Sequence, residues 1–261
     1  MFSSQDPYLK YQADHFGLTV ISVGYRLAPE DPWPAGGNDC YDAAEYFIDH
    51  GKEKFGGELL FAGGEVSNST ISKLFPIRPY FLHITPKYLA QTLIITQSAG
   101  GHLACLLALH LLETRPSFSF KGVLLHFGCY DLSHFLPMVH HHDLSLVIDH
   151  DVMKSYIDVL LPNTTPEQRR DPSISPFFAD IRGKKLPPAL FTCGTEDPLL
   201  DDTVFMGAKW AVWGNESVVK VYEGAPHGFV GFDPEVWECA AEVMRDTEEF
   251  VKGKLEGKSF K

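Results

Sequence analysis

Several things are scarce in this 261-residue chain, and each scarcity excludes a class of function. No apolar run approaches the roughly 20 residues that a membrane-crossing helix needs; the longest lies around residues 103–112. Residues 1–11 (MFSSQDPYLKY) lack a basic start and an apolar core, so they do not read as a secretory signal. Basic residues are few, 22 Lys+Arg against 34 Asp+Glu, for a formal net charge of −12. A surface this acidic repels phosphate backbones and anionic lipid heads, which argues against nucleic-acid binding and peripheral membrane attachment. There is no CxxC pair, so structural zinc is not expected. The five cysteines (Cys40, Cys105, Cys129, Cys193, Cys239) are odd in number, far apart and mostly in apolar contexts, as suits buried thiols in a reducing, cytoplasmic compartment. No internal repeat, low-complexity tract or phosphate-binding glycine loop is present.

What is present is an alternation of short apolar runs with helical periodicity, the pattern of a buried parallel sheet covered on both faces. Strands are expected at 18–25, 59–62, 123–127, 189–193 and 218–222. Cys40, Ala43, Ala44 and Phe47 form one apolar helical stripe that Asn38 or Asp39 could cap. Residues 101–112 are apolar all round, as in a central helix buried on both sides. Asp233 and Pro234 read as the cap and first residue of a last helix carrying Val236, Ala240, Val243, Met244 and Val251. The architecture is α/β, doubly wound, in a single domain over residues 1–261. Between 132 and 188 the alternation breaks into His-, Asp- and Pro-rich sequence, which reads as a helical cap or lid inserted into the sheet topology.

Three sites carry candidate chemistry. Ser98-Ala99-Gly100-Gly101 lies between an apolar run and the buried helix, where a sharp strand-to-helix turn can expose a nucleophilic hydroxyl. The helix start also points backbone N–H groups at a developing oxyanion. Asp197 follows the strand at 189–193, and His227 follows the last strand in a tight Pro-His-Gly loop. The order Ser, Asp, His, each after a strand, is the order of an α/β-hydrolase triad. His140, His141, His142, Asp143 and His150 could suggest a metal site, but adjacent residues on one segment do not easily converge on one ion, so a solvated loop is expected. Asp202 is expected to cap the helix after Asp197, and Trp33, Trp210, Trp213 and Trp237 to serve packing.

The segments YRLAPE with PWPA and Asp39, then SAGGHLA, DPLLDD and PHGF, closely resemble the hormone-sensitive-lipase-like branch of the α/β-hydrolases, over most of the chain from Tyr8 to Phe250. The resemblance implies a serine carboxylesterase with Ser98 as nucleophile, Asp197 as orienting acid, His227 as general base and the Ala99 N–H as an oxyanion donor. It implies a small-molecule ester substrate and no metal or organic cofactor. A non-catalytic ligand receptor on the same fold is the alternative, as in the plant gibberellin receptors, which depart from the family at the triad histidine.

Two departures from that family stand out. Its HGGG-type loop, source of most of the oxyanion hole, is absent, and the chain begins about where that loop should have ended, so the first strands of the usual sheet are expected to be missing. Losing a single oxyanion donor costs on the order of 3 kcal/mol. Second, the family's G-x-S-x-G reads Thr96-Gln97-Ser98-Ala99-Gly100 here, while Leu60-Phe61-Ala62-Gly63-Gly64-Glu65 supplies a better first half; joining Glu65 to Ser98 gives LFAGGESAGGHLA. The intervening residues 66–97 (97 − 65 = 32) contain Lys73, Arg78 and Lys87 but no Asp, Glu or Gly. At the acidic density of the other 229 residues, such a blank has a chance of roughly 1%. The segment begins with Val, whose codons start GT, and ends with Gln, one of whose two codons is CAG, so it reads as an unspliced, in-frame intron; the alternative is a genuine insertion in which residues 93–95 replace residues 59–62 as the strand feeding Ser98.

Overall fold

The computed structural model describes residues 6–63, 91–94, 99–142 and 146–260. Six strands form one sheet: β1 (Thr19–Ile21), β2 (Glu58–Gly63), β3 (Gln91–Ile94), β4 (Gly122–His126), β5 (Ala189–Glu196) and β6 (Ser217–Pro226). Their spatial order is β1-β3-β2-β4-β5-β6, and every neighbouring pair runs parallel. The helices are α1 (Asp6–Phe16), α2 (Ala35–Phe55), α3 (Ala99–Thr114), α4 (Pro137–His141), α5 (His150–Leu160), α6 (Leu200–Val212) and α7 (Glu238–Leu255).

Alternation along the strands sorts the core into two layers. Leu124 and Leu190 face one way, onto Phe16 of α1 and Val243, Phe250 and Val251 of α7. Val123, Leu125, Ala189 and Phe191 face the other way, onto Ala44 of α2, Ala104, Leu107 and Leu111 of α3, and Trp210 of α6. In β2 the register shifts between Leu59 and Phe61, so Leu59 and Ala62 reach one layer and Phe61 the other. Helix α3 is apolar nearly all round because it is buried nearly all round, as its composition predicts.

The five expected strands are all present, but the first is shorter. β1 ends at Ile21, and the chain leaves the sheet so that Arg26 can meet Asp39: its backbone N–H donates at 2.8 Å and its guanidinium Nη2 at 2.8 Å. Asp39 therefore does not cap α2, which starts earlier, at Ala35 after Pro34. The last helix starts later than expected. Asp233 accepts the Glu235 N–H and closes a turn, leaving Val236 72% exposed outside the helix. Trp210 is fully buried and Trp33 packs against residues of 132–188, but Trp213 and Trp237 are half-exposed and are not core residues.

Residues 132–188 have their own small core over one end of the sheet. Leu132, Val139, Ile148, Met153, Ile157 and Leu161 pack together with Cys129 and Leu199. Hydrogen bonds tie this layer down, from the Trp33 N–H to the Leu160 carbonyl (2.9 Å) and between the His102 imidazole and the Ile174 carbonyl (2.6 Å), and the Leu132 N–H donating to Ser175 Oγ (2.9 Å) closes it on itself.

Candidate active site

The carboxyl ends of β4, β5 and β6 define the site, because loops leaving neighbouring parallel strands emerge side by side. Asp197 immediately follows β5 and His227 immediately follows β6. His227 Nδ1–H donates to Asp197 Oδ2 at 2.9 Å. Both side chains are buried, at 7% and 0% exposure, so water competes little for this bond. The other carboxylate oxygen, Oδ1, accepts the Leu199 N–H at 2.9 Å, which fixes the acid from the start of α6. With Nδ1 donating to the carboxylate, Nε2 is the ring nitrogen that can accept a proton.

A glycine permits this approach. A Cβ on Gly194 would lie 1.8 Å from the Ala225 carbonyl oxygen, so no side chain fits where β5 and β6 close together. The register between them shifts between Gly194 and Glu196, where Glu196 pairs with Pro226, and this delivers His227 alongside Asp197. Phe127, just past β4, supplies another wall. Its ring meets the imidazole edge-on with centroids 4.9 Å apart.

Helix α3 begins at Ala99, which is exposed, and its first turn lies against the end of β4: a Cβ on Gly101 would be 2.9 Å from the His126 carbonyl. Ser98 lies outside the described residues, as does the whole of 66–97 except Gln91–Ile94, whose backbone forms β3 between β1 and β2.

Two more histidines are buried near these loops. Burial lowers His102 to about 4, opposed by its hydrogen bond to the Ile174 carbonyl, and lowers His126 to about 4. His126 Nδ1 pairs with Thr192 Oγ1 at 2.7 Å. Both are therefore neutral at neutral pH.

Of the histidines expected in a solvated loop, His140 and His141 lie instead in the single-turn helix α4, and the His140 ring bonds the His134 carbonyl. Among the described residues no group of three or more His, Cys, Asp or Glu could hold a metal ion. Asp202 does not cap α6. It lies inside the first turn and accepts the N–H groups of Tyr130 and Asp131, at 2.6 and 3.0 Å. Phe127 carries no chemical signal in the sequence; only the fold places its ring on His227.

With this geometry in hand, the comparison with known proteins is decisive for the family. The family model described as alpha/beta hydrolase fold matches residues 1–231. The chain belongs to the α/β-hydrolase family. A stretch of 47 residues, 18% of this chain, aligns at 43% identity with human hormone-sensitive lipase. An AB hydrolase superfamily protein of Schizosaccharomyces pombe is 26% identical over 246 residues, covering 88% of this chain and 60% of that protein. Carboxylesterase NlhH of Mycobacterium tuberculosis is 24% identical over 232 residues, covering 88% and 62%. In structure, this α/β-hydrolase is similar to the hyperthermophilic esterase of the archaeon Pyrobaculum calidifontis, with a TM-score of 0.74 at 26% identity, covering 95% of this chain and 69% of that one. The chain spans about 60% of the length of the curated relatives it matches.

Proposed function

We propose that this α/β-hydrolase is a serine carboxylesterase in which Ser98 is the nucleophile, His227 the general base, Asp197 the orienting acid and the Ala99 N–H an oxyanion donor. The observation that supports it is the buried 2.9 Å pair of His227 with Asp197, formed by the loops that follow β5 and β6. Relatives carrying esterase names add to that support.

In this reading Ser98 Oγ attacks the ester carbonyl carbon while its proton moves to His227 Nε2. The charge on the carbonyl oxygen is met by the Ala99 N–H at the positive end of α3. The imidazolium then returns its proton to the leaving alcohol, and water repeats the sequence to free the acid and regenerate Ser98. Asp197 keeps the imidazole in one tautomer and balances its transient charge. Residues 132–188 form the cap and supply apolar surface for the acyl group. The buried thiols of Cys40, Cys105, Cys129 and Cys193 suit a reducing, cytoplasmic setting.

In this reading the residues given, which hold no HGGG motif, turn over slowly by themselves, by on the order of a hundredfold or more. Residues 66–97, as a translated intron, separate the two halves of the elbow. The test is hydrolysis of p-nitrophenyl acetate and butyrate by this chain, by a form lacking residues 66–97 and fitted with an HGGG-type loop, and by each with Ser98→Ala. Serine-dependent turnover that rises sharply in the repaired form is expected. Ligand binding with no turnover in either form would overturn the esterase reading in favour of a receptor.

A further inference from the structure

Asp197 and Asp202 lie on one short stretch, Asp197-Pro198-Leu199-Leu200-Asp201-Asp202, that runs from the end of β5 into α6. Hydrogen bonds make the stretch a unit: the Leu199 N–H donates to Asp197 Oδ1 (2.9 Å) and the Leu200 N–H to the Asp197 carbonyl (3.1 Å). From this unit Asp202, 0% exposed, reaches across to the loop after β4 and accepts both the Tyr130 and Asp131 N–H groups on Oδ1. The neighbouring Asp201 turns the other way and accepts the Met138 N–H of α4 at 2.9 Å.

The β4 loop needs such an anchor. Phe127 has a φ of +35°, in the region that residues with a side chain seldom adopt, and a conformation of that kind persists only when its surroundings hold it. One hold is its own N–H, which donates to the Thr192 carbonyl at 2.7 Å. The other is three residues on, at Tyr130, where Asp202 grips the backbone. Between these holds the Phe127 ring is pressed edge-on against His227 and also touches Phe229, with centroids 5.9 Å apart.

We propose that Asp202 is a positioning residue for the imidazole: it holds the β4 loop so that Phe127 bears on His227 while Asp197, from the same stretch, holds Nδ1. The inference rests on His227 being the base of the proposed reaction. One acceptor oxygen does this work, since Asp202 Oδ2 has no hydrogen-bond partner among the described residues. Burial, opposed by the two amide bonds, raises this carboxyl to about 8, so at neutral pH it is a neutral acid that asparagine can mimic.

The experiment compares Asp202→Asn, Asp202→Ala, Asp202→Glu and Phe127→Leu with the parent chain. Ring-proton and ring-nitrogen NMR signals of His227 are the first readout. They respond to the tautomer and to the ring current of Phe127 whether or not the chain turns over. Turnover of p-nitrophenyl acetate is the second. Asparagine keeps the acceptor, so the His227 signals stay in place and kcat stays within about threefold of the parent. Alanine removes the grip and glutamate displaces it, so both move the signals, and kcat falls more than tenfold with KM changed less than twofold. Phe127→Leu, which leaves Asp202 untouched, moves the same signals. A folded Asp202→Ala or Asp202→Glu chain with unmoved His227 signals overturns the proposal. If neither variant folds, unmoved signals in Phe127→Leu overturn it. Failure of the esterase reading shows up separately, as turnover that survives Ser98→Ala while the His227 signals still respond to Asp202.

Discussion

Gly194→Ala is the most severe single-atom test of how Asp197 and His227 are brought together. The added Cβ would stand 1.8 Å from the Ala225 carbonyl oxygen and 2.5 Å from its carbon. Non-bonded heavy atoms pack at about 3.5 Å, so the end of β6 would have to retreat by roughly 1.5 Å. The obstacle is backbone, which has no rotamer to yield. Overpacking of this kind costs about 1–3 kcal/mol, and each hydrogen bond weakened along the β5–β6 ladder adds about 1 kcal/mol, for a loss of about 3–5 kcal/mol. The retreat carries His227, two residues beyond Ala225, away from Asp197. The 2.9 Å contact would open to about 4 Å, outside hydrogen-bonding range. Denaturant unfolding measures the first effect and the His227 Nδ1 proton resonance the second. A Gly194→Ala chain within 1 kcal/mol of the parent, with that resonance unchanged, would refute the reasoning.

The remaining predictions concern chemistry, pH and origin. Asp197→Asn removes the acceptor that sets the imidazole tautomer, so kcat for p-nitrophenyl acetate should fall by about 10⁴ with the fold intact by circular dichroism; a loss under tenfold would contradict the assigned role. His102 and His126 are lowered in the folded state to about 4, below the 6.5 of a free imidazole, so the unfolded chain takes up their protons first. The stability they protect is complete above pH 6.5 and drains away as pH falls to about 4, by about 3 kcal/mol for each histidine. His126→Asn should flatten that acid limb in denaturant titrations at pH 7, 5.5 and 4, and parallel profiles for variant and parent would count against it. Sequencing of the transcript should find a dominant mRNA in which the codons for residues 66–97 have been spliced out; a dominant mRNA that retains them would end the intron proposal.

Much of the fold was legible because burial leaves a period in the sequence. The runs at 59–62, 123–127, 189–193 and 218–222 are strands, and the all-round apolarity of residues 101–112 is that of a helix covered on both sides. What misled was local capping chemistry that tertiary partners outbid. Asp39 pairs with Arg26 from a distant turn and Asp202 takes backbone amides from the β4 loop. Each has the side chain of a cap, and nothing in its neighbours along the chain reveals the competing donor. Asp197 and His227 were legible from the loops that carry them, since a carboxylate and an imidazole after successive strands have few other reasons to meet. Phe127 was not, because an aromatic residue ending a buried run looks the same whether its ring packs on leucine or on an imidazole.

The most direct test of the central claim is covalent labelling by a fluorophosphonate, with the adduct located by mass spectrometry. A serine activated by the His227–Asp197 pair should carry the label at Ser98, and His227→Ala should slow labelling at least a hundredfold. Label on another residue, or labelling of Ser98 at an unchanged rate without His227, would contradict the account.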